Sequence, residues 1–202
     1  MIEVARKIKE LKGYLLLSFL VFVLFFMGGI LFVKFYPSLA QSSFRELQEA
    51  FSPVLELGPF SLGAFIFFNN SIKIFLFIFL GLLFAIPTLF FLAMNGWVLG
   101  YAATLHYQEF GLETVFHALF YHGIFEVAAL LLGASLGLHL GVLSFRMIRR
   151  EVKEKKKNLR EVLCSPVMKE ELHTILKVFL YIILPLLFIA ALIETLLIFF
   201  AS

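Results

Sequence analysis

The sequence predicts an all-α polytopic integral membrane protein with about five transmembrane helices. Of its 202 residues, 61% are hydrophobic, 15% are charged and 27 are Phe, and the mean hydropathy is +0.98. This composition lies far outside the range of soluble domains. Since a spanning helix needs about 20 apolar residues, about five or six helices would use up the chain. We therefore expect residues 1–202 to form a single domain embedded in the lipid bilayer.

The apolar runs and the breaks between them define the expected spans. A basic amphipathic segment, 2–12, precedes the first run, which is too long for a signal peptide and is interpreted as a retained span. Asn69 and Asn70 offer capping side chains for the second span, where Lys73 would lie in the first turn and Pro87 predicts a bend. In chain order the expected spans are residues 14–35, 72–92, 95–107, 120–145 and 176–201, with a cytoplasmic charged loop at 146–172.

Two places predict short or broken helices. The sequence Ala93–Gly96 interrupts an apolar run, and the apolar stretch after it, 97–106, is only about half a bilayer thick. A second polar break, 108–114, leads into a short stretch before the fourth span. Broken helices are therefore expected around Asn95 and His122, and residues 94–122 either cross the membrane fully or re-enter it.

Two further segments have recognisable helix signals. In residues 38–60 the apolar side chains recur at helical spacing, which predicts an amphipathic helix lying either on the membrane surface or packed on the protein itself. Ser165 and Pro166 resemble an N-cap followed by a first-turn proline, so a helix should begin there. It should continue into the last span and bend near Pro185.

The distribution of Lys and Arg predicts the orientation in the cell membrane. Basic residues concentrate in residues 1–12 and in the loop 146–172, and positively charged loops stay in the cytoplasm. Five spans then place the N-terminus in the cytoplasm and the C-terminus outside. The same loop would meet anionic lipid headgroups, which explains the net charge of +3 without any nucleic-acid partner.

One face of the fourth span combines polar and small residues. At about 100° per residue, His122 and Glu126 fall on the same side as three glycines that follow them, and His139 falls on the opposite side. Glycines let another helix approach closely, and that helix belongs either to this chain or to a second protomer. The glycines expected at helix contacts here and around Asn95 are Gly96, Gly100, Gly123, Gly133, Gly137 and Gly141.

The polar residues in the apolar spans allow two interpretations. A carboxylate inside an apolar span is a functional-site hypothesis by default, so His122 and Glu126 could form a proton or cation site. The alternative is interhelical hydrogen bonding that only holds the bundle together, at about 1 kcal/mol per bond. The expected members of this intramembrane polar site are His122, Glu126, Asn95, Asn69, Asn70 and Glu194.

Two motif matches do not indicate an enzyme. The GxSxG pattern at 133–137 marks a nucleophile only at a strand-to-helix turn, and here it lies in a membrane helix. A zinc enzyme usually has the HExxH spacing, whereas His117, His122 and Glu126 come without it and without a second acid or a matching helix. The single Cys164 excludes an internal disulfide and a CxxC metal site. We expect no catalytic residue, no metal site and no cofactor.

Four short segments resemble the stage II sporulation protein M family. They are FNNSIK at 68–73, NGWVLG at 95–100, HGIFEVAA at 122–129 and GASLGLHLG at 133–141. The resemblance implies that Asn95, Gly96, Gly100, His122, Gly123 and Glu126 are the positions that matter. It also implies a polytopic membrane protein that recruits and anchors a pair of cell-wall-degrading enzymes during engulfment, although the family is widespread in organisms that do not form spores.

We therefore expect a non-enzymatic membrane scaffold that binds membrane or cell-envelope proteins. The alternative is a transporter or channel-like component that uses the pair of His122 and Glu126, because broken helices with ionisable residues mark binding sites at membrane depth. The sequence identifies neither the partner nor a substrate, and it does not define the oligomeric state.

Overall fold

The computed structural model describes residues 2–55, 57–153, 161 and 165–200, without the side chains of 2, 51, 55, 114–122, 151–153 and 200. These residues form helices and connecting turns, with no strand among them. The helices are α1 (Ile2–Glu10), α2 (Lys12–Phe35), α3 (Pro37–Leu55), α4 (Pro59–Leu80), α5 (Ile86–Phe110), α6 (Leu112–Lys153), α7 (Pro166–Val178) and α8 (Leu184–Phe200), with a π-helical turn (Phe179–Ile183) between α7 and α8. The charged loop predicted at 146–172 lies partly outside the described residues.

Five helical segments in the described chain are long and apolar enough to cross a membrane. They are Lys12–Phe35, Pro59–Leu80, Ile86–Phe110, Gly123–Arg150 and Pro166–Phe199. The all-α polytopic fold class is therefore confirmed. The segment of α6 is the central one, because 67% of its most apolar stretch of 18 residues is buried, against 22–39% for the corresponding stretches of the other four. α6 contacts α2, α4, α5 and α8.

The helix boundaries in the first half differ from the predicted ones. The predicted second span, 72–92, contains the end of α4, a turn at residues 81–85 and the start of α5. In this turn Phe84 and Ala85 have φ of 56° and 64°. Pro87 does not bend a helix, because it lies in the first turn of α5, where its missing N–H needs no partner. Apolar residues continue through the turn, so hydropathy alone does not reveal it.

The short and broken helices expected around Asn95 and His122 are not present. Asn95 lies inside the uninterrupted helix α5, and the backbone of His122 belongs to α6, which is continuous from Leu112 to Lys153. The polar residues that suggested a break are accommodated without one. Asn95, for example, donates from Nδ2 to the carbonyl of Phe91, 2.8 Å away and one turn earlier. Polar groups that bond to their own helix do not require the backbone to open.

The amphipathic helix predicted in residues 38–60 is present as α3 and packs on the protein at its start. Ala40 is fully buried, and its carbonyl accepts a 2.9 Å hydrogen bond from the Tyr101 hydroxyl of α5. Phe44 contacts the same tyrosine ring edge-on. Beyond Phe44 the polar side chains of α3 are exposed. Tyr101, with 1% exposure, therefore joins α3 to the bundle.

The last helix begins as predicted, and a π-helical turn precedes Pro185, where a bend was expected. Ser165 caps α7, accepting a hydrogen bond from the Met168 N–H at 3.3 Å. Immediately before Pro185 the helix widens into the π-helical turn, where the Leu184 N–H reaches the Phe179 carbonyl five residues back. Pro185 has no N–H to donate into this turn, and the wider hydrogen-bonding pattern accommodates the missing backbone hydrogen bond.

Glycines bring backbones together at two contact lines, which we call the α2–α5 seam and the α4–α6 seam. At the α2–α5 seam, a Cβ added to Gly96 would lie 2.5 Å from the Phe22 carbonyl oxygen. Gly100 and Gly29 would clash with backbone atoms in the same way. Only residues without a side chain permit this approach.

The α4–α6 seam involves the predicted glycines of the fourth span. A Cβ on Gly137 would lie 2.6 Å from Thr88 Oγ1, and one on Gly141 would lie 2.4 Å from the Ala85 nitrogen. Gly133 faces the Ile74 side chain. Gly123 is the exception and corrects the expectation that it is a packing position, because an added Cβ there meets no described atom within 4 Å. Its surroundings include a cavity rather than a helix backbone.

Candidate functional site

Two adjoining cavities bring together polar residues from three helices. The larger cavity, of about 190 Å³, is lined by Asn95 of α5 and by Gly123 and Glu126 of α6, among apolar neighbours. The smaller, of about 40 Å³, lies between α4, α5 and α6 and is lined by Asn70 and Lys73 as well as by Asn95 and Glu126. Asn95 and Glu126 line both cavities, so we call this region the Glu126 site.

The Glu126 site contains three of the predicted polar residues, which are Asn70, Asn95 and Glu126. Asn95 uses its Nδ2 within its own helix, which leaves the oxygen of its amide as a hydrogen-bond acceptor near the cavities. Glu126 is half-buried and has interactions of its own. The backbone places His122 one turn before Glu126 on α6, but its side chain lies outside the described residues. The predicted pair of His122 and Glu126 therefore stays a prediction.

Two other predicted residues do not line these cavities. Asn69 is half-buried next to Asn70 on α4. Glu194 is half-buried on α8 and takes part in interactions there. Of the six expected polar positions, the described lining of the two cavities thus contains Asn70, Asn95 and Glu126.

Sequence reasoning missed Lys73 as a member of the Glu126 site. It was expected in the first turn of the second span, but α4 begins at Pro59 and Lys73 lies well inside it. The error follows from the misplaced helix boundary. Placed correctly, the segment from Asn70 to Lys73 presents two polar side chains one turn apart, a spacing that would have predicted a shared location.

A second set of polar side chains joins α1 and α7 to α6, and we call it the Lys7 cluster. Lys7 of α1 is 3% exposed and forms an ion pair with Glu171 of α7. His139 Nε2 of α6 is 2.9 Å from Lys7 Nζ and 3.2 Å from Glu171 Oε1. The ring of Tyr14 on α2 packs edge-on against the imidazole, with centroids 5.3 Å apart. Four helices therefore meet at one buried charge pair.

His139, which the sequence places on the opposite side of the fourth span from Glu126, thus lies against α1 and α7. A signal for this was present in α1, where Lys7 shares the helix face formed by Val4, Ile8 and Leu11. A lysine on the apolar face of a short amphipathic helix indicates a buried partner, because an unpaired buried charge is strongly destabilising. The sequence did not reveal which of the distant carboxylates that partner is.

A further ion pair joins α1 to α7 near the start of the chain. Glu3 accepts hydrogen bonds from Lys177 Nζ at 2.8 Å and from Thr174 Oγ1 at 2.9 Å. These bonds, mainly the one from Lys177, hold the pKa of the Glu3 carboxyl below its ordinary value.

A groove of about 870 Å³ beside this pair is lined mainly by apolar side chains. The charged residues in its described lining are Glu3 and Lys177, which are paired with each other. The groove is therefore a weaker candidate site than the Glu126 cavities.

Ser135, the serine of the GxSxG pattern, is fully buried between helices. Its hydroxyl donates to the Leu131 carbonyl at 2.5 Å and lies 3.3 Å from the Ser18 hydroxyl of α2. This is a helix contact, because the hydroxyl is already engaged and has no access to solvent. In the described part of the chain, no group of three or more His, Cys, Asp or Glu side chains could hold a metal ion.

Comparison with known proteins agrees with the resemblance in the sequence. A family model described as stage II sporulation protein M matches residues 18–197. No curated protein and no solved structure gives a significant match. The matched region includes the Glu126 site, both seams, His139 and Glu171, and it begins after α1. Since it covers most of the 202 residues, the chain belongs to the stage II sporulation protein M family, a family of multi-pass membrane proteins.

Proposed function

We propose that this chain is a non-enzymatic membrane scaffold that anchors or recruits partner proteins. The observation that carries the proposal is the backbone contact at both seams, where Gly96 and Gly100 meet α2 and Gly137 and Gly141 meet the α4–α5 region. Helices in such close contact resist the relative sliding and rocking by which transporters alternate their access. A rigid bundle suits a protein that holds others in place.

The helix α3 offers partner proteins a polar surface beside the bundle. Its start is fixed by Tyr101, and beyond Phe44 its charged side chains, among them Arg45, Glu46 and Glu49, are exposed. The orientation that we propose, with the N-terminus in the cytoplasm, places α3 outside the cell, where cell-envelope partners would be found. A charged helix held at one end and exposed at the other supports a recruiting role.

Recovery of a partner from gently solubilised native membranes tests the scaffold proposal. We expect a protein of the cell envelope to co-purify at a fixed ratio, and the double variant Arg45→Glu with Glu49→Lys to lose it while keeping its thermal stability. The control is Lys9→Glu, an exposed position on α1, which should retain the partner. A parent protein that purifies alone, or a partner retained equally by the α3 variant, would contradict the proposal.

A second candidate function is transport, which the Glu126 site favours. Lys73, Asn70, Asn95 and Glu126 line two small cavities that share lining residues of α5 and α6, and ionisable residues at membrane depth mark ion or proton pathways. Under this alternative, Glu126 would exchange a proton or balance a cation.

Two variants of Glu126 separate the scaffold from the transporter. Glu126→Gln keeps the shape and most hydrogen bonding but removes the charge, whereas Glu126→Leu removes the polar group. If Glu126 only holds helices together, the Gln variant should fold and retain its partner nearly as well as the parent, and only Leu should lose stability. A Gln variant that is folded, assembled and functionally dead would favour transport.

We also propose the orientation predicted from the basic residues, together with contact between the loop 146–172 and anionic lipid headgroups. In intact cells, a membrane-impermeant thiol reagent should label cysteines placed at Gln48 or Ser202 in a Cys164→Ser background, because both positions would lie outside. The native Cys164 should remain unlabelled until the membrane is permeabilised. Labelling of Cys164 in intact cells would reverse the orientation.

A further inference from the structure

The amphipathic helix α1 is held on the bundle by one apolar face and by two charge contacts. Val4 and Leu11 are buried in the core, with 9% and 0% exposure. Glu3 pairs with Lys177 near the start of α1, and Lys7 enters its cluster with Glu171 and His139 one turn later. The second half of α1 therefore depends on the Lys7 cluster for its polar contacts.

The charge state of His139 decides whether the Lys7 cluster is balanced. With a neutral imidazole, Lys7 donates to Nε2 across 2.9 Å and neutralises Glu171, so one cation faces one carboxylate. A protonated imidazole no longer accepts this bond. It presents a second cation next to the ammonium and donates instead to Glu171 Oε1, now 3.2 Å away. Two cations then compete for one carboxylate in a partly buried site, where the side chains of His139 and Glu171 are each 19% exposed.

We propose that His139 is a proton-binding site that controls the docking of α1: protonation lets His139 replace Lys7 as the partner of Glu171, and the second half of α1 leaves the bundle. Lys7 is the member that leaves because an ammonium on a flexible side chain is strongly hydrated in water, whereas His139 is fixed in the central helix. Histidine is the side chain whose charge normally changes between about pH 5 and pH 8.

The other groups facing the cluster do not cancel this effect. Glu10 of α1 lies 3.8 Å from Lys7 Nζ, but its side chain is 53% exposed and its attraction is screened by water. Tyr14 of α2 contributes a ring contact and no charge. Glu3 stays ionised in mild acid because its hydrogen bonds lower its pKa, so the start of α1 remains attached while the Lys7 end is released.

The position of the cluster lets α1 reach water when it undocks. The apolar segment Pro166–Phe199 has 34 residues. At about 1.5 Å per residue it is about 51 Å long, well beyond the roughly 30 Å of hydrocarbon in a bilayer. Glu171 lies in its second turn, so the cluster is placed near the end of the helix and close to the membrane surface.

Thiol reactivity at two neighbouring positions measures the docking of α1. The full-length chain, with Cys164→Ser, carries either Leu11→Cys, at a fully buried position, or Lys12→Cys, at an exposed one. The ratio of their labelling rates cancels the general effect of pH on thiol chemistry. Between about pH 8 and about pH 5.5 we expect this ratio to rise by about fivefold or more, a coupling of ordinary size.

Variants of the cluster assign the effect to His139. His139→Gln can still accept from Lys7 but cannot take up a proton, and Lys7→Met removes the competing cation, so each should show a labelling ratio that does not rise in acid. Glu10→Gln should keep the rise of the parent. A ratio in the parent that is independent of pH would overturn the proposal, and so would a full rise in either His139→Gln or Lys7→Met. Since these two variants remove opposite partners, a folding failure of one leaves the other as the test.

Discussion

The two polar regions along α6 differ in how they are built. The Glu126 site combines residues of neighbouring helices around cavities of about 190 and 40 Å³, and the buried Gly123 lines the larger one. The Lys7 cluster, about three and a half turns further along α6, fills its space with an ion pair, an imidazole and an aromatic ring. A polar residue in an apolar helix can therefore either leave room for another molecule or lock helices together.

The comparison shows that the sequence around a charged residue does not indicate how deeply its side chain is buried. Glu126 is conspicuous in the sequence because its whole neighbourhood is apolar. Lys7 lies in a segment rich in charges, yet it is the more deeply buried of the two. The cost of burial depends on surrounding protein, which only the assembled helices define.

The largest expected effect comes from breaking the Lys7 cluster. Glu171→Leu leaves Lys7 buried without its carboxylate and should lower the free energy of unfolding by about 3–5 kcal/mol. Glu126→Leu should lower the free energy of unfolding by only about 1 kcal/mol if the carboxylate serves for interhelical hydrogen bonding. Unfolding of both variants in the same detergent measures the difference.

A double variant provides the control for this prediction. Adding Lys7→Met to Glu171→Leu replaces the pair with apolar side chains and should restore most of the lost stability. Equal losses for Glu171→Leu and Glu126→Leu would show that the two regions contribute alike and would remove the distinction between them.

A medium effect should distinguish the glycines next to the two regions. Gly137→Ala puts a Cβ 2.6 Å from Thr88 Oγ1 and 3.1 Å from the Phe77 carbonyl oxygen, so it should lower the free energy of unfolding by about 1–3 kcal/mol. Gly123→Ala meets no described atom within 4 Å and should raise it by up to about 1 kcal/mol through helix propensity. Thermal unfolding of this matched pair tests whether α6 is loosely packed at Gly123 and tightly packed at Gly137.

The smallest effect concerns Glu3, outside both regions. Because hydrogen bonds lower its pKa in the folded protein, its contribution is fully present above the ordinary carboxyl pKa and fades as the pH falls toward the lowered value. Glu3→Gln should therefore be slightly less stable than the parent at neutral pH and equal to it in strong acid. A difference that persists at the lowest pH would assign the effect to shape rather than charge.

The sequence predicts the architecture of this protein better than its contacts. Composition and apolar run lengths predict the fold class, and the signals at Ser165 and Pro166 locate the start of α7. The turn at 81–85 is invisible to hydropathy because Phe84 and Ala85 are as apolar as the helices beside them. Similarly, the contact of Lys7 with His139 spans 132 residues of sequence, and no local pattern specifies a pairing at that distance.

The π-helical turn before Pro185 has a consequence for how the last helix meets two different neighbours. Such a turn is equivalent to one residue inserted into an α-helix, which rotates everything after it by about 100°. α7 thereby directs Glu171 and Lys177 toward α1, while α8 directs Ala190 and Ala191 into the bundle, where both are 2% exposed. The inserted residue thus changes the direction in which the side chains of α8 point relative to those of α7. Each half of the helix can be oriented toward its own neighbour without disturbing the other.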